Sequence, residues 1–127
     1  MLRLLSLMFT WWNGATVGTY LNSWFRGHLV GEDVFGNRYY QTTGGKRRWV
    51  IYKGIAEASK VPPEWHGWLH YTVAEPPTVA PPLVKPWERE HEPNWTGTAM
   101  AYRPPGSLLG PGTRHHATGD YEAWRPE

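Results

Sequence analysis

Cysteine is absent from the 127 residues, which removes a disulfide framework, a thiolate zinc site, an iron–sulfur cluster and a cysteine nucleophile together. The composition suits a reducing compartment. Proline is absent from residues 1–61, and all 12 prolines fall between Pro62 and Pro126. Acidic residues are scarce in that same first half. Residues 1–60 hold eight Lys/Arg against three Asp/Glu, a net of +5, and residues 61–127 hold five against eight, a net of −3. Two halves therefore meet near Val61: a basic one free to form regular structure, and an acidic, Pro-rich one that mostly is not.

A long apolar run is also missing. Residues 1–12 are mainly apolar with one basic residue, Arg3, and Asn13-Gly14 ends the stretch, well short of the about 20 residues a spanning helix needs. A secretory signal would want a longer charged-then-apolar layout and a small-residue cleavage site, for which Ala15 alone is thin support, so none is expected. A helix apolar on most faces, resting on a partner or a membrane surface, is the expectation for this stretch. No Gly-x-Gly-x-x-Gly or Walker-type loop and no Gly-x-Ser-x-Gly elbow occurs, so neither a nucleotide site nor a serine nucleophile is indicated.

What the chain does have is tryptophan, nine of them, within 15% aromatics. His28–Asp33, Arg38–Thr42 and Arg47–Tyr52 are three β-prone runs joined by Val34-Phe-Gly-Asn37 and Thr43-Gly-Gly-Lys46, the pattern of an antiparallel meander. Arg48, Val50 and Tyr52 fall on one face of the third run, Trp49 and Ile51 on the other. Val61–His70 opens with prolines suited to a helix's first turn. There Trp65, Trp68 and Leu69, at i, i+3 and i+4, form one apolar stripe. The reading is about two turns of helix packed on the meander.

From Glu75 onward nothing indicates regular structure, and Pro76-Pro77, Pro81-Pro82 and Pro104-Pro105 favour extended geometry. Yet Val84, Trp87, Trp95, Met100, Tyr102, Leu108, Leu109, Tyr121 and Trp124 recur, too many for a simple disordered linker. Ordering about 50 residues at about 1.5 kcal/mol each requires roughly 3,000 Å² of apolar burial at about 25 cal/mol/Å². A three-stranded meander cannot supply that surface, so the tail is expected to wrap something larger. The expected architecture is a small α+β protein: an N-terminal apolar helix and linker over 1–26, a three-stranded antiparallel meander with the short Trp/His helix over 27–74, and a long extended Pro-rich C-terminal tail over 75–127.

His66 and His70 lie four apart, a spacing that can bind zinc on one helix face. However, Gly67 stands where the metalloprotease pattern needs glutamate, and no nearby Cys or Asp completes a site. The pair reads instead as hydrogen-bonding groups at an interface. His115-His116 sits in a Gly-, Pro- and Thr-rich stretch as a solvated or docking pair. Glu88, Glu90 and Glu92 form a solvated run or the complement of a basic partner. Lys46-Arg47-Arg48-Trp49, beside Tyr39, Tyr40 and Tyr52, has the cation-and-ring layout of a single-stranded nucleic acid platform. A nucleic-acid-binding module on Lys46–Trp49 is the alternative of another class, weakened by the small number of cations and the acidic second half.

Gly31-Glu-Asp33, Gly36-Asn-Arg-Tyr-Tyr40, Arg47-Arg-Trp-Val-Ile-Tyr52 and above all Val61-Pro-Pro-Glu-Trp-His-Gly-Trp-Leu-His70 resemble a family of small accessory subunits of respiratory complex I, the proton-pumping NADH:ubiquinone oxidoreductase. It is the family of NADH dehydrogenase 1 alpha subcomplex subunit 12. Glu75-Pro-Pro77, Thr96-Gly-Thr98, Tyr102-Arg-Pro-Pro105 and Trp124 fit its tail, so the resemblance covers about residues 24–127. Gln41 departs from an acid expected after the tyrosine pair. The link from Tyr52 to Val61 is shorter than in mitochondrial members, pointing to an alphaproteobacterial one.

The resemblance implies a non-catalytic subunit with no cofactor, no metal, no substrate of its own and no nucleic acid. It implies a peripheral position on the inner membrane, on the cytoplasmic side in bacteria, near the junction of the peripheral arm with the membrane. The implied partners are the iron–sulfur and quinone-module subunits and other small accessory subunits, with the N-terminal helix at the membrane surface. Assembly or stability of the arm is the implied role. A paralogous branch acts as a transient assembly factor, and the full tail with Trp124 favours the resident subunit. The candidate docking residues are Trp65, His66, Trp68 and His70, with Trp87, Trp95, Tyr102 and Trp124 as tail anchors.

Overall fold

A computed structural model describes residues 14–110, 112–114 and 116–126. The helix expected over residues 1–12 lies outside them. The order of regular elements is α1 (Val17–Arg26), β1 (Gly27–Glu32), β2 (Arg38–Thr42), β3 (Arg48–Ile51), a 3₁₀ turn (Ala58–Lys60) and α2 (Pro63–Leu69). The small α+β fold is as expected. Helix α1, however, occupies positions that the sequence reading leaves as linker.

Thr16 caps α1: its hydroxyl accepts the Thr19 N–H at 3.2 Å, satisfying one of the donors left free in a first turn. At the other end the Gly27 N–H closes onto the Ser23 carbonyl. A side chain at Gly27 would put its Cβ 2.6 Å from that oxygen and 2.8 Å from the Trp49 ring. Glycine therefore lets the chain pass directly from helix to strand.

The three strands run antiparallel in the order β1-β2-β3. Register pairs Tyr39 with Val50 and Tyr40 with Trp49. An irregularity between Leu29 and Gly31 leaves Gly31 opposite Tyr39. The first turn is organised by Asp33, whose Oδ1 accepts the Phe35 and Asn37 backbone N–H groups, both at 2.9 Å. Its Oδ2 accepts the Asn37 amide at 2.8 Å and the Tyr39 hydroxyl at 2.7 Å. Gly36 takes the positive φ of 81° the turn requires, at no steric cost.

Alternation along the strands gives the sheet two working faces. Tyr39, Val50 and Tyr52 lie toward α2 and share a core with Val61, Trp65 and Trp68. Trp49 and Tyr40 stack on the opposite face at 6.0 Å, where the Trp49 indole N–H donates to Ser23 of α1 at 2.8 Å. The meander thus buries parts of both faces rather than one.

After Leu69 no helix or strand occurs among the described residues. The chain divides into a unit ending at Pro93 and another from Asn94 onward. Within the first unit, residues 75–93 return to the core at two points. A Thr78 methyl packs where a Gly31 side chain would stand. His91 meets the Ser59 carbonyl at 2.8 Å and the edge of Phe35. Within the second unit, local turns dominate: Asn94 Oδ1 accepts from the Thr96 N–H at 3.0 Å, and Asp120 accepts from Arg114 and from the Ala117 N–H.

Candidate docking surface

Helix α2 sorts the expected docking residues into two sets. Trp65 and Trp68 point inward, 3% and 0% exposed. The Trp65 ring stacks on Tyr39 with centroids 3.9 Å apart and planes 7° apart. Trp68 meets both rings edge-on. Such contacts add about 0.5–1.5 kcal/mol each beyond the burial itself. His66 and His70 point outward, both exposed, with ring centroids 4.2 Å apart. The solvent-facing side of α2 is therefore the histidine face, and the two tryptophans hold the helix against the sheet.

The C-terminal end of α2 is closed by an arrangement the sequence does not announce. The Thr72 N–H returns to the Gly67 carbonyl at 3.0 Å and the Tyr71 N–H to the Trp68 carbonyl at 3.1 Å, a Schellman closure. Tyr71 fills its left-handed position at φ 60°, where glycine is usual because a Cβ costs about 1 kcal/mol. Arg48 supports it from the sheet. Its guanidinium donates to the carbonyls of Trp68 at 2.6 Å, Val73 at 3.0 Å and Ala74 at 3.0 Å. The same group lies over the rings of Trp68 and Tyr71, at 4.8 and 4.6 Å. The Tyr71 hydroxyl donates to the Lys46 carbonyl at 2.9 Å.

These contacts correct the reading of Lys46–Trp49 as a nucleic acid platform. Arg48 is spent on backbone carbonyls, Tyr39 is wholly buried, and Trp49 and Tyr40 stack on each other. Only Lys46 and Arg47 of that cation run remain exposed, too few to track a phosphate backbone.

The tail carries its apolar side chains outward. Trp87 is 75%, Tyr102 85% and Trp124 81% exposed, while Trp95 is partly covered at 39%. Lys85 lies 5.3 Å from the Trp87 ring centroid. In the first unit an open groove of about 930 Å³ is lined by apolar residues including Pro63 and Leu83 and by Glu64, Glu88, Arg89, Glu90 and Glu92, so carboxylates outnumber its one arginine. Its charge suits a basic partner.

Titratable groups show structural rather than chemical tuning. Burial, then the hydrogen bond to the Asp33 carboxylate, pushes the Tyr39 hydroxyl far above the ordinary tyrosine range. Burial also raises Tyr52. The Arg114 guanidinium and then the Ala117 N–H hold Asp120 below the usual carboxylate value. Among the described residues no three His, Asp or Glu side chains gather into a metal site, and no helix is long and apolar enough to cross a membrane.

Similar sequences include NADH dehydrogenase [ubiquinone] 1 alpha subcomplex subunit 12 of Bos taurus, 42% identical over 92 residues, covering 61% of this chain and 63% of the bovine protein. The probable counterpart of Arabidopsis thaliana is 41% identical over 110 residues, covering 77% of this chain and 66% of the plant protein. An uncharacterized protein of Rickettsia prowazekii is 42% identical over 69 residues, covering 50% of this chain and 67% of that protein, a bacterial relative in keeping with the expected alphaproteobacterial member. The match spans less than two thirds of the bovine and plant proteins. The family described as NADH ubiquinone oxidoreductase subunit NDUFA12 matches residues 27–126, from β1 through the Pro-rich tail. The chain belongs to the NDUFA12 family.

Proposed function

We propose that the chain is a non-catalytic accessory subunit of the proton-pumping NADH:ubiquinone oxidoreductase, held at the peripheral arm near the quinone module and serving assembly or stability of that arm. The observation that carries this reading is a family match extending to residue 126, through a tail whose tryptophans and tyrosines stand exposed. Relatives bear the names of subunits of that enzyme. The partners are the iron–sulfur and quinone-module subunits and neighbouring small subunits, and the place is the cytoplasmic side of the inner membrane.

Docking has two parts. The folded unit presents His66 and His70 on α2, with Trp65 and Trp68 acting through the helix they anchor. The tail then lays Trp87, Trp95, Tyr102 and Trp124 into apolar seats on partner subunits, so that burial withheld within the chain is completed in the complex.

The test is incorporation. Cells carrying Trp95→Ala, Tyr102→Ala and Trp124→Ala together should retain a folded chain and lose most of it from the assembled complex on native gels. His66→Ala with His70→Ala should leave stability within about 0.5 kcal/mol of native and also lower incorporation. A triple tail variant that assembles as fully as the native chain removes the tail from the docking account.

A further inference from the structure

The groove of the first unit is built and then left unfilled. It is lined by Val34 of the turn after β1, by residues 62–64 at the start of α2, and by residues 82–84 and 88–92 of the returning chain. That returning run is pinned to the folded unit, since the His91 ring meets the Ser59 carbonyl at 2.8 Å and the edge of Phe35. Val34, Leu83 and Val84 nonetheless keep 79%, 85% and 72% of their surface exposed. Large apolar side chains gathered in one depression, with polar residues around them, mark a place where another molecule binds.

Charge narrows the occupant. Glu64, Glu88, Glu90 and Glu92 share the groove with one cation, Arg89, a local excess of three negative charges on a chain whose net charge is +2. Among the described residues none of these carboxylates takes part in a hydrogen bond or an ion pair. They do not brace the fold, and they are free to meet groups of the opposite sign. Apolar surface set among unpaired carboxylates complements an apolar side chain flanked by lysine or arginine. The groove is open, about 930 Å³, so it suits a length of protein chain better than a small molecule, whose sites enclose most of its surface.

We infer that this groove receives a basic segment of a neighbouring subunit, with an apolar side chain seated against Leu83 and Val84 and cations meeting Glu88, Glu90 and Glu92. The contact is separate from the histidine face of α2 and from the tail anchors beyond Pro93. Apolar burial supplies the seat, and the carboxylates select the sign of the partner and make the contact sensitive to salt. The inference rests on the membership of the complex proposed above and adds the chemistry of one partner segment to it.

The test is carboxylate labelling with a carbodiimide and glycine ethyl ester, on the isolated full-length chain and on the purified native complex, read by peptide mass spectrometry. Glu88, Glu90 and Glu92 should label freely in the isolated chain and at least about fivefold less in the complex, where the interface excludes reagent. The combined variant Glu88→Gln, Glu90→Gln and Glu92→Gln breaks no bond of the fold. It should lower the amount of chain retained in the complex at least about threefold after a high-salt wash. In whatever complex retains that variant, Glu64 is the reporter and should label as freely as in the isolated chain. Leu83→Ser, at an exposed position, should also lower retention, as attraction of charge alone would not require. Carboxylates that label as freely in the complex as in the isolated chain overturn the inference. A combined variant retained as fully as native, with Glu64 still protected, overturns it too and gives the groove to a neutral surface. A chain absent from the enzyme on native gels overturns the functional proposal and this inference with it, whereas a chain present with freely labelled carboxylates overturns this inference alone.

Discussion

Replacing Arg48 with lysine keeps the charge and removes the planar fork that reaches three carbonyls. The guanidinium spans from the end of α2, at Trp68 O, to Val73 O and Ala74 O, and a single ammonium on a shorter stem cannot reproduce that geometry. At about 1 kcal/mol net per hydrogen bond, with the bonds to Val73 and Ala74 discounted because they are exposed, and about 0.5 kcal/mol for each ring contact, the clamp contributes about 3 kcal/mol. Arg48→Met should lose most of that. Arg48→Lys, which retains a point charge near the rings and part of the bonding, should lose about 1–2 kcal/mol. Read by urea unfolding of the full chain, with a slope of about 1 kcal/mol per molar for a domain this small, the lysine variant's midpoint should fall by about 1–2 M. A phosphate-binding role makes the opposite forecast, since lysine neutralises phosphate as well as arginine does. A lysine variant with the native midpoint would refute the clamp.

Other perturbations test the rest of the packing. Trp65→Ala removes a ring that is 3% exposed and stacked on Tyr39; it should cost about 3–5 kcal/mol, detach α2 from the sheet and lower the chain's abundance in the complex, and a native thermal midpoint would contradict this. Gly31→Ala sets a Cβ 2.9 Å from the Trp65 ring and 2.7 Å from a Thr78 methyl; calorimetry should record a loss of about 1–3 kcal/mol. Stability should also decline at alkaline pH. The Tyr39 hydroxyl is raised in the folded state by burial and by Asp33, so its contribution is complete below the unfolded tyrosine value near pH 10 and is lost above it. There the unfolded chain gives up a proton that the folded chain keeps, and the slope is about −1.4 kcal/mol per pH unit from this residue. Tyr39→Phe should flatten that slope, and denaturant midpoints taken across the alkaline range would show if it does not.

Period-two alternation and short glycine-bearing turns make the meander readable from residues 27–52, and the turn at Asp33–Asn37 forms where expected. The prolines before Glu64 and the Trp65, Trp68, Leu69 spacing likewise mark α2. Such signals are local, and local signals survive into the fold. Helix α1 is harder to see because Gly14, Gly18 and the threonines around it weaken helix propensity. Val17, Tyr20, Leu21, Trp24 and Phe25 nonetheless follow the helical period. Arg48 could not be read, since its acceptors come 20 to 26 residues later and are backbone atoms. Tyr71 hides its role for a related reason: the closure of α2 calls for a glycine there, and the tyrosine that stands in its place is held by tertiary contacts from Arg48 and Lys46. The sorting of Trp65 and Trp68 inward and His66 and His70 outward follows from helix period once the sheet is known to lie beneath.

Membership of the respiratory enzyme is tested most directly by native electrophoresis of gently solubilised membranes, probed for this chain and stained for NADH dehydrogenase activity. The account predicts co-migration with the full-size active band. Presence only in smaller, inactive bands would contradict a resident subunit and make the chain an assembly factor. A chain found free of any such band would contradict the functional proposal altogether.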